Sequence, residues 1–158
     1  MRPPCGPTRT RLGPVKKGPQ ALGRSRGGFS TKLHVAGDGA GGLLAFALTA
    51  GQAGDAPQAT DLLTLLLAPA QQVLADTAYD SDALHAQIAE TDAVAVIPSR
   101  PNRLVPPHLD PLTYRDRNQV ERLINCLKQF RRVATRYDKL ADSYAAFVQL
   151  PAITRWLN

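Results

Sequence analysis

Gln72-Val73-Leu74-Ala75-Asp76-Thr77-Ala78-Tyr79-Asp80 decides the fold class. Residues 72–75 form a short apolar run of strand character, the run stops at a carboxylate, and the text that follows reads as helix. Strand, Asp, helix is how an open α/β sheet places a ligand-binding carboxylate at the carboxyl end of a buried strand. Alone, Asp76 reads equally well as a loop residue or a helix cap.

The flanking text has the same character. Upstream, Phe29, Thr31, Leu33 and Val35 alternate with Ser30, Lys32 and His34, the period of a half-buried strand. Asp38-Gly39 and Gly41-Gly42 mark a reversal, and residues 43–49 return, so a hairpin is expected. In this pattern His34 is a polar-face strand residue rather than a base. Residues 51–54 make a loop, Asp55 is placed to cap a helix over 56–67, and Pro69 ends it. Downstream, Asp80 is placed to cap a helix over 81–89, and residues 93–97 give another apolar strand. A proline-rich loop over 98–111 then leads into a long helix over 112–135. A last amphipathic segment puts Leu140, Tyr144, Phe147 and Val148 on one face, with Pro151 bending or ending it and Trp156 packing beyond.

The long helix carries the chemistry. Tyr114, Arg117, Glu121 and Lys128 are spaced by three, four and seven residues, which places all four on one helical stripe. Val120, Leu123, Ile124, Leu127 and Phe130 form an apolar stripe beside it, so the helix docks on a core while presenting a carboxylate flanked by cations. Asn125 and Arg132 project near the same stripe. The plain alternative is an i,i+4 ion pair between Arg117 and Glu121, contributing a few tenths of a kcal/mol.

The net charge of +6 conceals segregation. Residues 1–32 hold eight Lys or Arg and no acid, residues 33–99 hold eight acids and no Lys or Arg, and residues 100–158 hold eleven Lys or Arg against five acids. Basic ends around an acidic centre suit a protein that grips a polyanion and holds divalent cations. Residues 1–27, with five prolines, read as a basic arm without stable helix or strand, whose Arg24 and Arg26 can lie along a DNA backbone or simply solubilise the chain. Cys5, Cys126 and the three histidines have no paired ligand spacing, which excludes a zinc or disulfide framework. Cys126 reads as a small packing residue. No apolar run reaches the roughly 18 residues of a membrane span, so a cytoplasmic, nucleoid-associated protein is expected.

The order Tyr114, Arg117, Glu121, Lys128 resembles the signature of DDE transposases of bacterial insertion sequences, of the insertion-sequence-four and insertion-sequence-five type. The block around Asp76 resembles that of the second catalytic aspartate in the latter, and residues 23–32 and Lys128-Gln129-Phe130-Arg131-Arg132 are similar to the family too. The resemblance implies an α/β, ribonuclease H-like catalytic core over residues 28–158, in which two Asp and one Glu bind two Mg²⁺ or Mn²⁺ ions that clamp an in-line displacement at phosphorus. Asp76 and Glu121 are then catalytic metal ligands. Arg117 and Lys128 contact DNA phosphates, Tyr114 positions a base, and Asn125 and Arg132 are weaker DNA contacts.

The family's first aspartate lies on a strand ahead of the Gly-Arg-Ser block, and here no Asp or Glu precedes Asp38, which reads as turn chemistry. The implied core thus lacks its first strand and the sheet is expected to split. The chain alone is expected not to transpose. It fits the downstream frame of a two-frame element, fused to an upstream segment by frameshifting and oligomeric when complete, or a remnant of a decayed copy. Two other functions remain open: a non-catalytic DNA-binding or subunit-binding fragment that regulates the full-length transposase, and a nuclease with Asp80 as an extra carboxylate.

Overall fold

The computed structural model describes residues 18–66 and 72–157. The first 17 residues of the expected arm, Cys5 among them, and the expected helix end at Leu67 and Pro69 lie outside the described residues.

The alternating run becomes β2 (Gly28–Gly37), paired antiparallel with β3 (Leu43–Ala50), with Leu33 opposite Leu48 and Val35 opposite Phe46. Asp38 makes the reversal: its Oδ1 accepts from the Ala40 and Gly42 amides at 2.9 and 2.7 Å, and Gly41 takes a φ of +85° that favours glycine. A short β1 (Gly23–Ser25) pairs with the start of β2. This corrects the expectation of an arm without strand up to residue 27. Arg136 stabilises the segment just before β1 from far along the chain, donating to the Gln20 carbonyl at 2.6 Å.

Beyond Gly28–Ser30, β2 pairs only with β3, and the remaining strands stand apart as a second sheet. There β4 (Gln72–Leu74) and β5 (Val94–Val96) run parallel, Leu74 opposite Val96. Two helices accompany them, α1 (Ala56–Leu65) and α2 (Asp82–Ala89). Neither expected cap operates. Asp55 sits at the cap position of α1 without a side-chain bond to it, because its carboxylate pairs with Lys32 Nζ at 2.8 Å. Ser81 caps α2, accepting from the Leu84 amide, because Asp80 turns inward.

The expected helix over 112–135 is broken. Asp110 caps α3 (Pro111–Tyr114), a 3₁₀ turn follows at Arg115–Arg117, then α4 (Asn118–Lys128). Right-handed helical dihedrals persist to Gln129, but Phe130 is extended and α5 (Arg131–Ala134) sets off anew. The break turns Val133 into the core and leaves Phe130 about half-exposed, off the expected apolar stripe. The last helix, α6 (Ala141–Trp156), continues through Pro151, which is buried inside it and does not end it. Trp156 is accordingly a helical residue, and its indole N–H donates to the Leu43 carbonyl at 3.1 Å.

The hairpin separates two cores. On one face Leu33, Val35, Phe46 and Leu48 pack with Leu123, Leu127, Val133, Tyr144 and Val148 from α4, α5 and α6. The approach is close: a Cβ on Gly37 would lie 2.9 Å from Leu123 Cδ2. Phe29, read as part of that face, is 82% exposed and is not part of this core. The second core joins Leu84, Ile88 and Ile97 with Leu63, Val73 and Tyr79. His34 links the opposite hairpin face to it: it is buried, not solvent-facing, and bonded to Thr49 Oγ1 at 2.8 Å and the Tyr79 hydroxyl at 3.2 Å. Among the described residues no helix is long and apolar enough to cross a membrane.

Candidate active site

Asp76 follows β4 at its carboxyl end and caps a 3₁₀ turn, Thr77–Tyr79, by accepting from the Thr77 amide at 2.6 Å. The cap and ligand readings are compatible, since only Oδ1 is used and the residue is exposed.

Glu121 lies in the first turn of α4, held by the core contacts of Leu123 and Leu127 behind it. Its Oε1 accepts from Arg117 Nη2 at 2.6 Å, so the i,i+4 pair is formed. The Arg117 guanidinium also lies over the Tyr114 ring, 5.4 Å from its centroid, a cation–π arrangement in which the 3₁₀ turn keeps the two residues stacked. Burial disfavours charge on Arg117, yet Tyr114, Glu121 and Asp76 together outweigh it and raise the guanidinium's pKa above its ordinary value. The charge of Asp76 adds to that rise, so the carboxyl end of β4 lies within electrostatic range of the start of α4. Two carboxylates more than forty positions apart in sequence thus act on one cation, Glu121 by direct pairing and Asp76 through its charge.

Asn125 and Lys128 are exposed further along α4, and their side chains make no hydrogen bond or ion pair with a described residue. Arg132 does not share their stripe. The break at Phe130 carries it onto α5, where its guanidinium sits 4.2 Å from the Phe147 ring centroid. Arg24 and Arg26 are exposed on the β1–β2 hairpin and make no bond to either carboxylate.

Sequence reasoning missed a buried charge cluster behind Asp76. Asp80, 2% exposed, accepts from the Arg100 amide at 2.9 Å, His85 Nε2 at 2.9 Å and Arg103 Nη1 at 2.7 Å. Burial pushes its carboxyl up, but the Arg100 amide, His85 and Arg103 prevail and hold it below the usual carboxylate range. The available signal was Arg100 and Arg103, the first cations after the long stretch without any.

Residues 8–157 match the family model described as "Transposase DDE domain". The chain belongs to the DDE transposases of insertion sequences. A curated relative from Brucella ovis, described as "Putative transposase for insertion sequence element IS6501", is 40% identical over 131 residues, which span 82% of this chain and 100% of the relative. No solved structure matches the chain.

A two-metal centre of the kind the resemblance implies needs more oxygen ligands than these. Among the described residues no group of three or more His, Cys, Asp or Glu is placed to hold a metal ion, and the Glu121 carboxylate is turned to Arg117. As they stand, Asp76 and Glu121 do not fit a two-metal site. Together with Arg117 they leave one net negative charge at the surface, with Glu121 directly paired to the cation.

Proposed function

We propose that this DDE transposase chain contributes the second and third carboxylates, Asp76 and Glu121, to DNA strand cleavage and transfer during transposition. The first carboxylate comes from a segment other than residues 1–37, which contain no Asp or Glu. The observation that carries the reading is Arg117: it binds Glu121 at 2.6 Å and lies within electrostatic range of Asp76 on another element, which supports one site for the two carboxylates. The pairing of β2 beyond Ser30 with β3 alone, and of β4 with β5 alone, supports a ribonuclease H-like core in which a further strand lies between β2 and β4. Mg²⁺ or Mn²⁺ is the ion such an all-oxygen site would take once the first carboxylate is present.

The test joins the chain to the translated region upstream of it and measures cleavage of DNA carrying the element's ends in Mg²⁺. Cleavage by the fusion, lost in Asp76→Asn and Glu121→Gln, is the expected result. A Glu121→Gln fusion that cuts as well as its parent removes the assignment. The incomplete carboxylate set favours a second reading for the chain by itself, a DNA-binding or subunit-binding regulator of a complete transposase, which requires binding without cleavage.

A further inference from the structure

Asp80 has no place in the cluster around Arg117, yet it is the most deeply buried carboxylate described. Two of its three donors, the Arg100 amide and the Arg103 guanidinium, belong to the loop that leaves β5. Because β4 and β5 are parallel and in register at Leu74 and Val96, this loop and Asp76 emerge side by side at the same sheet edge. Asp80 therefore ties the β5 loop to the carboxyl edge that carries Asp76.

The two arginines of the loop differ in what they have left to offer. Arg103 is spent on Asp80 and on Asp82. Arg100 is exposed, has no carboxylate partner among the described residues, and uses Nη2 on the Ala78 carbonyl at 3.1 Å, within the turn that Asp76 caps. Its backbone is fixed by Asp80 and its guanidinium stands two residues from the candidate ligand with most of its donors free.

We propose that Arg100 is a phosphate contact for the DNA strand at Asp76, and that Asp80 is the positioning residue that presents it. A guanidinium suits the role because its planar fork binds phosphate oxygens bidentately while one N–H stays on the Ala78 carbonyl. The inference rests on the reading of the chain as one that acts on DNA.

The experiment is titration of a fluorescent DNA duplex with the full chain at several salt concentrations. The logarithm of affinity falls with the logarithm of salt by about 0.9 per phosphate neutralised. Arg100→Ala should flatten the slope by about one unit while its thermal midpoint stays at the parental value, and Arg100→Lys should restore the slope. Asp80→Asn should reproduce the flattening, with Arg103→Gln taking its place if that variant does not fold. A steep parental slope that Arg100→Ala leaves unchanged overturns the phosphate contact and spares the DNA reading. If Arg100→Ala flattens the slope but a folded positioning variant does not, the role of Asp80 is overturned. A flat parental slope overturns both the inference and the DNA reading on which it rests.

Discussion

Glu121 and Asp80 are both carboxylates paired with arginine, and their surroundings make opposite predictions for them. The Glu121 side chain is 51% exposed, so solvent screens its pair with Arg117, and Glu121→Gln should change stability by no more than about 0.5 kcal/mol. Urea unfolding of the variant should overlay the parent, and a large shift would show that Glu121 is a structural residue. The Asp80 side chain is 1% exposed, and Arg103→Ala strips a buried charge of its counterion. The expected loss is about 3 kcal/mol, read from the same unfolding experiment, and a loss below about 1 kcal/mol would mean that water replaces the guanidinium. The two residues were unequally legible. Glu121 stands in a spacing that repeats with the helix, so its face followed from the sequence. Asp80 takes two of its three partners from 20 and 23 positions downstream, and local text could only suggest a cap.

At the scale of elements, periodicity located nearly every strand and helix and failed at the joints. The hairpin, α1, α2, the two parallel strands and α4 lie where alternation or helical spacing put them. The break at Phe130 was hidden because the run to Thr135 contains no Gly or Pro, the usual punctuation of a helix end. Tertiary bonds make that joint. Val133 is buried between α4 and α6, and the Tyr144 hydroxyl donates to its carbonyl at 2.8 Å. Tyr144→Phe leaves this buried acceptor unpaired without changing the ring, and should cost about 1.5 kcal/mol in denaturant unfolding. If the cost is nil, the joint is held by the apolar contacts of Val133 alone. β1 was obscured for a similar reason: its local text is glycine and arginine, while Arg136, which braces the chain beside it, lies 116 positions from Gln20.

For the whole molecule the consequential feature is the division into two sheets with a core on either side of the hairpin. A composition with basic ends and an acidic centre indicated the partner class, whereas the residue that joins the halves was read as a strand side chain facing solvent. His34 lies on β2, and its ring bridges Thr49 and the Tyr79 hydroxyl, in the turn that Asp76 begins. Burial lowers its pKa, Asp55 opposes the shift and Lys32 adds to it, so the folded chain holds the imidazole neutral below the pH at which the unfolded chain protonates it. Stability therefore declines as pH falls through the unfolded value of about 6.5, because the unfolded state binds the proton first, and the slope cannot exceed about 1.4 kcal/mol per pH unit. Asp80 works in a separate window. Its lowered pKa gives stability that is present above the unfolded carboxylate value, near 3.9, and is lost as pH falls below it. Unfolding at pH 7.5 and pH 5.5 isolates the first effect: the parent should be less stable at the lower pH, and His34→Gln, which keeps a hydrogen-bonding side chain that does not titrate, should lose much less. Equal losses in both would place the titration elsewhere and leave the join between the two halves to apolar packing.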